Sequence, residues 1–159
     1  MRKAAVLLII LIVFMPAALM IRGKMDRENM GKYEYTKDML GIAVARVMKS
    51  EAVIHNFGRP IYPADRELQY TWVYIKLVNS GSTATQIEPG DFTLSIPGKT
   101  AVSYDTKATN SMQKCLKPIT LEPDKQAIGV LIFPLPGSST YSLHYNGPGG
   151  KVEKRLVID

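Results

Sequence analysis

An uninterrupted apolar run from Ala4 to Ile21 limits what the amino-terminal part of this chain can become. The run is 18 residues long. A helix rising about 1.5 Å per residue covers roughly 27 Å over that length, close to the hydrocarbon thickness of a bilayer. A domain of this size has no core that needs such a run, so the segment reads as a membrane element. Arg2 and Lys3 precede it, as they would in a secretory signal or a signal-anchor. Ala17 and Ala18 are small, but no Ala-x-Ala triplet exists, and Leu19, Met20 and Ile21 follow. The length and the poor cleavage signal favour an uncleaved anchor over a cleaved signal peptide. Either way the rest of the chain is expected outside the cytoplasm, membrane-held or secreted. Residues 1–24 are assigned to this segment, and the membrane is expected as a partner through residues 4–21. No cysteine closely follows the run, which argues against lipid attachment there.

Residues 25–38 are polar and aperiodic and read as a juxtamembrane spacer. Residues 39–159 remain for one domain. The chain carries a net charge of +6, but residues 39–159 hold thirteen Lys/Arg against ten Asp/Glu. That is ordinary surface charge, and nucleic acid is not an expected partner. The densest basic stretch, Lys107, Lys114 and Lys117, reads as a solvated loop. Cys115 is the only cysteine, so no internal disulfide can form. The apolar core alone must hold the domain, and Cys115 is expected to be buried and inert.

Beyond residue 40 the periodicity is that of strands. Ile42, Val44, Arg46 and Met48 alternate with Ala43, Ala45 and Val47, bounded by Gly41 and by Lys49-Ser50-Glu51. Breakers Gly58, Pro60 and Pro63 mark a loop. Leu68–Val78 is the clearest strand: Thr71, Val73, Ile75 and Leu77 share one side, Trp72, Tyr74, Lys76 and Val78 the other. Lys76 sits best in solvent, so the Val73 side is assigned to the core. Further short strands follow at Thr83–Ile87, Phe92–Ile96, Ile119–Leu121, Ala127–Phe133, Tyr141–Tyr145 and Val152–Ile158, separated by Gly and Pro turns. Lys107–Lys117 is expected to be an exposed loop. The cadence predicts an all-β, antiparallel sandwich of seven to eight strands behind an amino-terminal hydrophobic helix.

Three passages carry a resemblance. They are Val73-Tyr74-Ile75-Lys76-Leu77-Val78-Asn79-Ser80-Gly81, then Ile87-Glu88-Pro89-Gly90-Asp91-Phe92-Thr93-Leu94, then Leu121-Glu122-Pro123-Asp124-Lys125 leading into Gly129–Phe133. With the closing Tyr141–Tyr145 strand, the chain resembles exported immunoglobulin-like (telokin-like) domains of unknown function, common in bacterial and archaeal lipoproteins and anchored surface proteins. The resemblance implies an immunoglobulin-like sandwich and an extracytoplasmic place, with no activity attached. Two departures stand out. Asp124 occupies a position where the family often has Gly, and the lipid-bearing Cys of many members is missing. Asp91 is expected to accept backbone N–H groups in its turn, and Phe92 and Leu94 to enter the core.

No residues assemble into catalytic chemistry at the level of sequence. His55 and His144 are the only histidines and lie far apart. Cys115 lacks the nearby His and Met of a blue-copper site. No Gly-x-Ser-x-Gly and no phosphate-binding Gly loop is present. No catalytic, cofactor or metal residues are therefore assigned, and no enzyme activity is expected. The one binding candidate is the Trp72, Tyr74 and Lys76 row, if it faces solvent rather than another part of the chain. The expected function is binding of a protein or envelope component by a tethered sandwich. Self-association as a structural surface protein is the alternative, and a small-ligand carrier a distant third.

Overall fold

The computed structural model describes residues 31–54 and 58–158. The anchor and signal-peptide readings of residues 1–24 and the position of His55 lie outside them. Ten strands form in chain order: β1 (Glu34–Tyr35), β2 (Leu40–Ser50), β3 (Gln69–Asn79), β4 (Thr85–Ile87), β5 (Phe92–Ser95), β6 (Val102–Ser103), β7 (Ile119–Leu121), β8 (Gln126–Leu135), β9 (Thr140–Gly147) and β10 (Gly150–Val157). Among the described residues a single short helix, α1 (Thr106–Asn110), interrupts them, and a 3₁₀ turn (Pro89–Asp91) leads into β5. Two four-stranded antiparallel sheets result, ordered β1-β2-β3-β8 and β10-β9-β5-β6, with a β4-β7 ribbon beside them.

The main core fills the space between the sheets. Val73, Ile75 and Leu77 of β3 and Leu131 and Phe133 of β8 meet Phe92, Leu94, Tyr141, Leu143, Tyr145 and Leu156 of the second sheet. The Val73 side of β3 is thus the core side. The β2 strand is less regular than its sequence suggests. Its pairing with β3 shifts register between Val44 and Arg46. A bulge adds one residue and reverses the facing of everything after it. Ile42, Val44 and Val47 all reach the core, while Arg46 is exposed although it is in phase with Ile42 and Val44.

Two segments differ from the sequence reading. Residues 33–38 are more than a spacer. Glu34–Tyr35 pairs with β2, Thr36 is buried, and its hydroxyl accepts the Leu40 N–H at 3.1 Å. Lys107–Lys117 is only partly an exposed loop. It contains α1, buries Ala108, Thr109 and Leu116, and runs along the edge of β8. Asp105 caps α1 by accepting the Ala108 N–H at 2.8 Å, and its other oxygen accepts the Tyr70 hydroxyl at 2.9 Å. That bond and the burial of the ring hold the Tyr70 phenol well above its ordinary pKa, with burial the larger cause. Gly129 makes this edge possible: a Cβ there would lie 2.6 Å from the Leu116 Cα.

The turn before β8 explains the Asp124 departure. Lys125 N–H donates to the Glu122 carbonyl at 3.1 Å, and Asp124 has φ of 59°. This left-handed position suits Gly, and Asp is among the few other residues that accept it. Asp124→Gly should raise stability by about 0.5–1 kcal/mol and Asp124→Ala should lower it by about 1 kcal/mol. Urea unfolding of the two variants checks the order.

The four outer edges of the two four-stranded sheets are blunted. β1 and β6 are two residues long. β10 carries Lys154 pointing inward, nearly buried, with its Nζ donating to the Lys32 carbonyl at 2.8 Å. On β8, Val130 exchanges backbone bonds with Lys114 and Leu116, Ile132 with Asp105 and the Thr109 hydroxyl, and Pro134 has no N–H to offer. Short strands, an inward-facing charge and proline are the devices that prevent edge-to-edge pairing.

Candidate functional site

The outer face of the first sheet is divided in two. Tyr70, Trp72, Val130 and Ile132 occupy its upper half with Met48 and Val53. Ala108 and Met112 of the α1 segment close over them as a second, smaller core. Trp72 is only 5% exposed, and its indole N–H donates to the Ser50 hydroxyl at 2.8 Å. The expectation that Trp72 stands in an exposed row is therefore corrected. The 99–119 segment covers it, because the apolar side chains of three adjacent strands make a surface too costly to leave in water.

The lower half of the face stays open. Lys76 lies here, half-buried, and Tyr74, half-buried and packed against the second core, marks its upper border. Arg46 pairs across from Tyr74. Lys76 sits between Ala43 and Ile128. In the next row Tyr35 meets Gly41, and Gly41 meets Val78. A Cβ on Gly41 would collide with Val78 at 2.7 Å and Tyr35 at 2.8 Å, so the tyrosine ring lies across the glycine. Tyr33 leans on Tyr35, with ring centroids 6.1 Å apart. Ile128 is 63% exposed and Tyr35 48%, far more than the core of a sandwich needs. Of the predicted row, then, Tyr74 and Lys76 share an open surface and Trp72 does not. Tyr35, Arg46 and Ile128 were missed by the sequence reading, which placed Val78 on this face of β3 but outside the candidate row. Outward phase on β8 was the available signal for Ile128. The others needed the β1 pairing and the β2 bulge.

A second constellation lies on the outer face of the other sheet. Ser95 Oγ is 2.9 Å from His144 Nε2, and His144 Nδ1 is 4.0 Å from Glu153 Oε2. His144 stands directly opposite Thr93 and Glu153 in register. The residue types are those of a nucleophile, base and acid, but the carboxylate is at the limit of contact and largely exposed. The three lie across adjacent strands on the outer face of the sheet. The array is a polar cross-strand ladder.

Cys115 is half-exposed rather than buried. It lines an open cleft of about 710 Å³ with Ile54, Met112 and Lys117. A wider open cleft of about 840 Å³ lies at the far end of the first sheet, between the 62–69 loop and Gly137. Among the described residues no three His, Cys, Asp or Glu side chains gather as a metal site requires. Among the same residues no helix is long and apolar enough to cross a membrane.

With this geometry in hand, comparison with known proteins is informative about family. Residues 29–155 match DUF4352, a domain of unknown function. The chain belongs to the DUF4352 family. The match begins inside the stretch that the sequence reading gave to a spacer, in agreement with the β1 pairing. The DUF4352 chain is also similar to solved structures. Against a "putative lipoprotein", ycdA of Bacillus subtilis, the TM-score is 0.59 at 19% identity, covering 79% of this chain and 38% of that one. The DUF4352 chain thus spans well under half of ycdA. Against the yjhA protein of Bacillus subtilis the TM-score is 0.63 at 16% identity, over 82% and 99% of the two chains. A conserved hypothetical protein of Bacillus anthracis gives 0.59 at 16%, over 87% and 99%. At these identities the likeness is one of fold. Curated proteins yield no match.

Proposed function

We propose that the chain is a non-enzymatic, extracytoplasmic domain of immunoglobulin-like type, held at the membrane, that binds a protein or envelope component. The open lower half of the first sheet's outer face is its working surface. The observation that carries this reading is the exposure of Ile128 and Tyr35 beside Tyr74 and Lys76 on one face. Tyrosine, arginine and isoleucine exposed together form the composition of a recognition surface. The apolar run from Ala4 to Ile21 supports the place, and so does the lipoprotein description of ycdA. The blunted edges favour recognition through a face over strand pairing between copies.

The test is binding of the full chain, in neutral detergent micelles, to an envelope preparation from its own cells. Ile128→Asp should weaken binding about ten-fold or more, an effect of about 1.4 kcal/mol, with no change in melting temperature. Undiminished binding would remove the face from the reading.

A further inference from the structure

The strands that build the open half-face bring one sign of charge to it. Glu34 is the only acidic residue in β1, β2, β3 and β8. It pairs with the core-facing Ile42 and lies 3.8 Å from Lys154 Nζ, so it belongs to the other side of the sheet. Of the three cations in these strands, Lys49 is turned inward, its Nζ bonded to the Ser138 carbonyl and lying over the Tyr141 ring. Arg46 and Lys76 remain on the outer face. Neither joins the ion pairs of the described residues, His144 with Glu153 and Lys154 with Glu34. Arg46 stands opposite Tyr74, two residues along β3 from Lys76. That places the two cations in neighbouring rows, about 7 Å apart along the strand. Lys114 is exposed beside Val130, at the border of the same region.

Two cations with no ion-pair partner among the described residues, set among exposed apolar side chains, specify the complement. It must carry carboxylates or other anions at short spacing, and it must also bring apolar groups to Ile128 and Tyr35. A phosphate-rich polymer supplies only the first. We propose that this half-face takes an acidic protein segment that carries aromatic or aliphatic side chains between its carboxylates. The proposal rests on the reading that this face is a binding surface, and it names the partner's chemistry. Arg46 and Lys76 provide charge-assisted hydrogen bonds and steer the encounter. Ile128, Val78 and Tyr35 supply the apolar contact that slows release.

The test uses the full chain in neutral detergent micelles and labelled polymers as probes, read by fluorescence anisotropy. A random copolymer of glutamate and tyrosine should bind about ten-fold or more tightly than polyglutamate. Added salt should weaken both. The double variant Arg46→Glu, Lys76→Glu should lose binding of both polymers. Arg46→Gln, Lys76→Gln guards against a folding defect and should lose most of it. Equal binding of the two polymers overturns the proposal, because charge alone then suffices. Copolymer binding that survives both double variants overturns it too. Tighter, Arg46- and Lys76-dependent binding to phosphatidylglycerol vesicles than to the copolymer assigns the face to an anionic bilayer instead. If the copolymer fails while envelope binding still depends on Ile128, only this proposal falls. If neither depends on the face, the binding reading falls with it.

Discussion

Replacing Asn79 with Ala should cost about 2–4 kcal/mol of stability, among the largest single losses available in this fold. The side chain is fully buried at the end of β3. Its amide donates to the Thr83 and Leu121 carbonyls, both at 2.8 Å, and its oxygen accepts the Gly81 N–H at 3.0 Å. Its backbone adds two more bonds, accepting Asp124 N–H at 2.7 Å and donating to the Lys125 carbonyl at 3.0 Å. One residue therefore joins the β3–β4 turn, the end of β7 and the turn before β8. Alanine removes the three side-chain bonds together. The Leu121 carbonyl sits in a buried contact, where water cannot replace the donor without a cost of about 1–3 kcal/mol. The vacated volume adds to that loss. Asn79→Asp keeps the shape but sets a carboxylate against two carbonyl oxygens, so it should cost at least as much. Asn146→Ala, at an exposed position, should change little. Urea unfolding of the three variants measures the contrast.

Asn79 also shows what can be read from the chain alone. The pattern Lys76-x-x-Asn79-x-Gly81 was legible as a strand end and turn. Gly81 is required there, since a Cβ would lie 2.5 Å from the Asp38 carbonyl oxygen. Asp91 was legible for the same reason: turn chemistry is local, and its carboxylate does accept the Glu88 N–H at 2.8 Å. Phe92 and Leu94 follow in phase and reach the core, Phe92 packing on Tyr145 with centroids 5.0 Å apart. What stayed hidden is non-local. The β2 bulge inverts Arg46 relative to Ile42 without any change in composition. Tyr35 joins the sandwich only because Gly41 leaves room for its ring. The short α1 helix has no periodicity to reveal it, and its placement depends on Asp105 reaching both Ala108 and Tyr70. The candidate face was therefore half-readable: its strand and its direction followed from β3, while its boundary depended on the covering segment.

That boundary yields the second large effect. Trp72→Ala should destabilise the domain by about 3–5 kcal/mol, as for a buried large-to-small change. The indole packs with Met48, Val53, Tyr70, Val130 and Ile132 under Ala108. Removing it opens a cavity beneath α1 and leaves the Ser50 hydroxyl without its donor. Ser50 is only half-buried and can turn to water, so the apolar loss dominates. Trp72→Phe keeps most of that contact and should cost about 1–2 kcal/mol. Hydrogen exchange should rise first in residues 105–112, because their cover over the sheet rests on this side chain. A Trp72→Ala protein as stable as the parent would return Trp72 to the surface and extend the open face upward. The pairing with Ile128→Asp is what makes the division testable. Both residues sit on the outer side of one sheet, yet one should change stability and the other binding. The difference between them is whether the chain's own 99–119 segment has taken the place that a partner would otherwise fill.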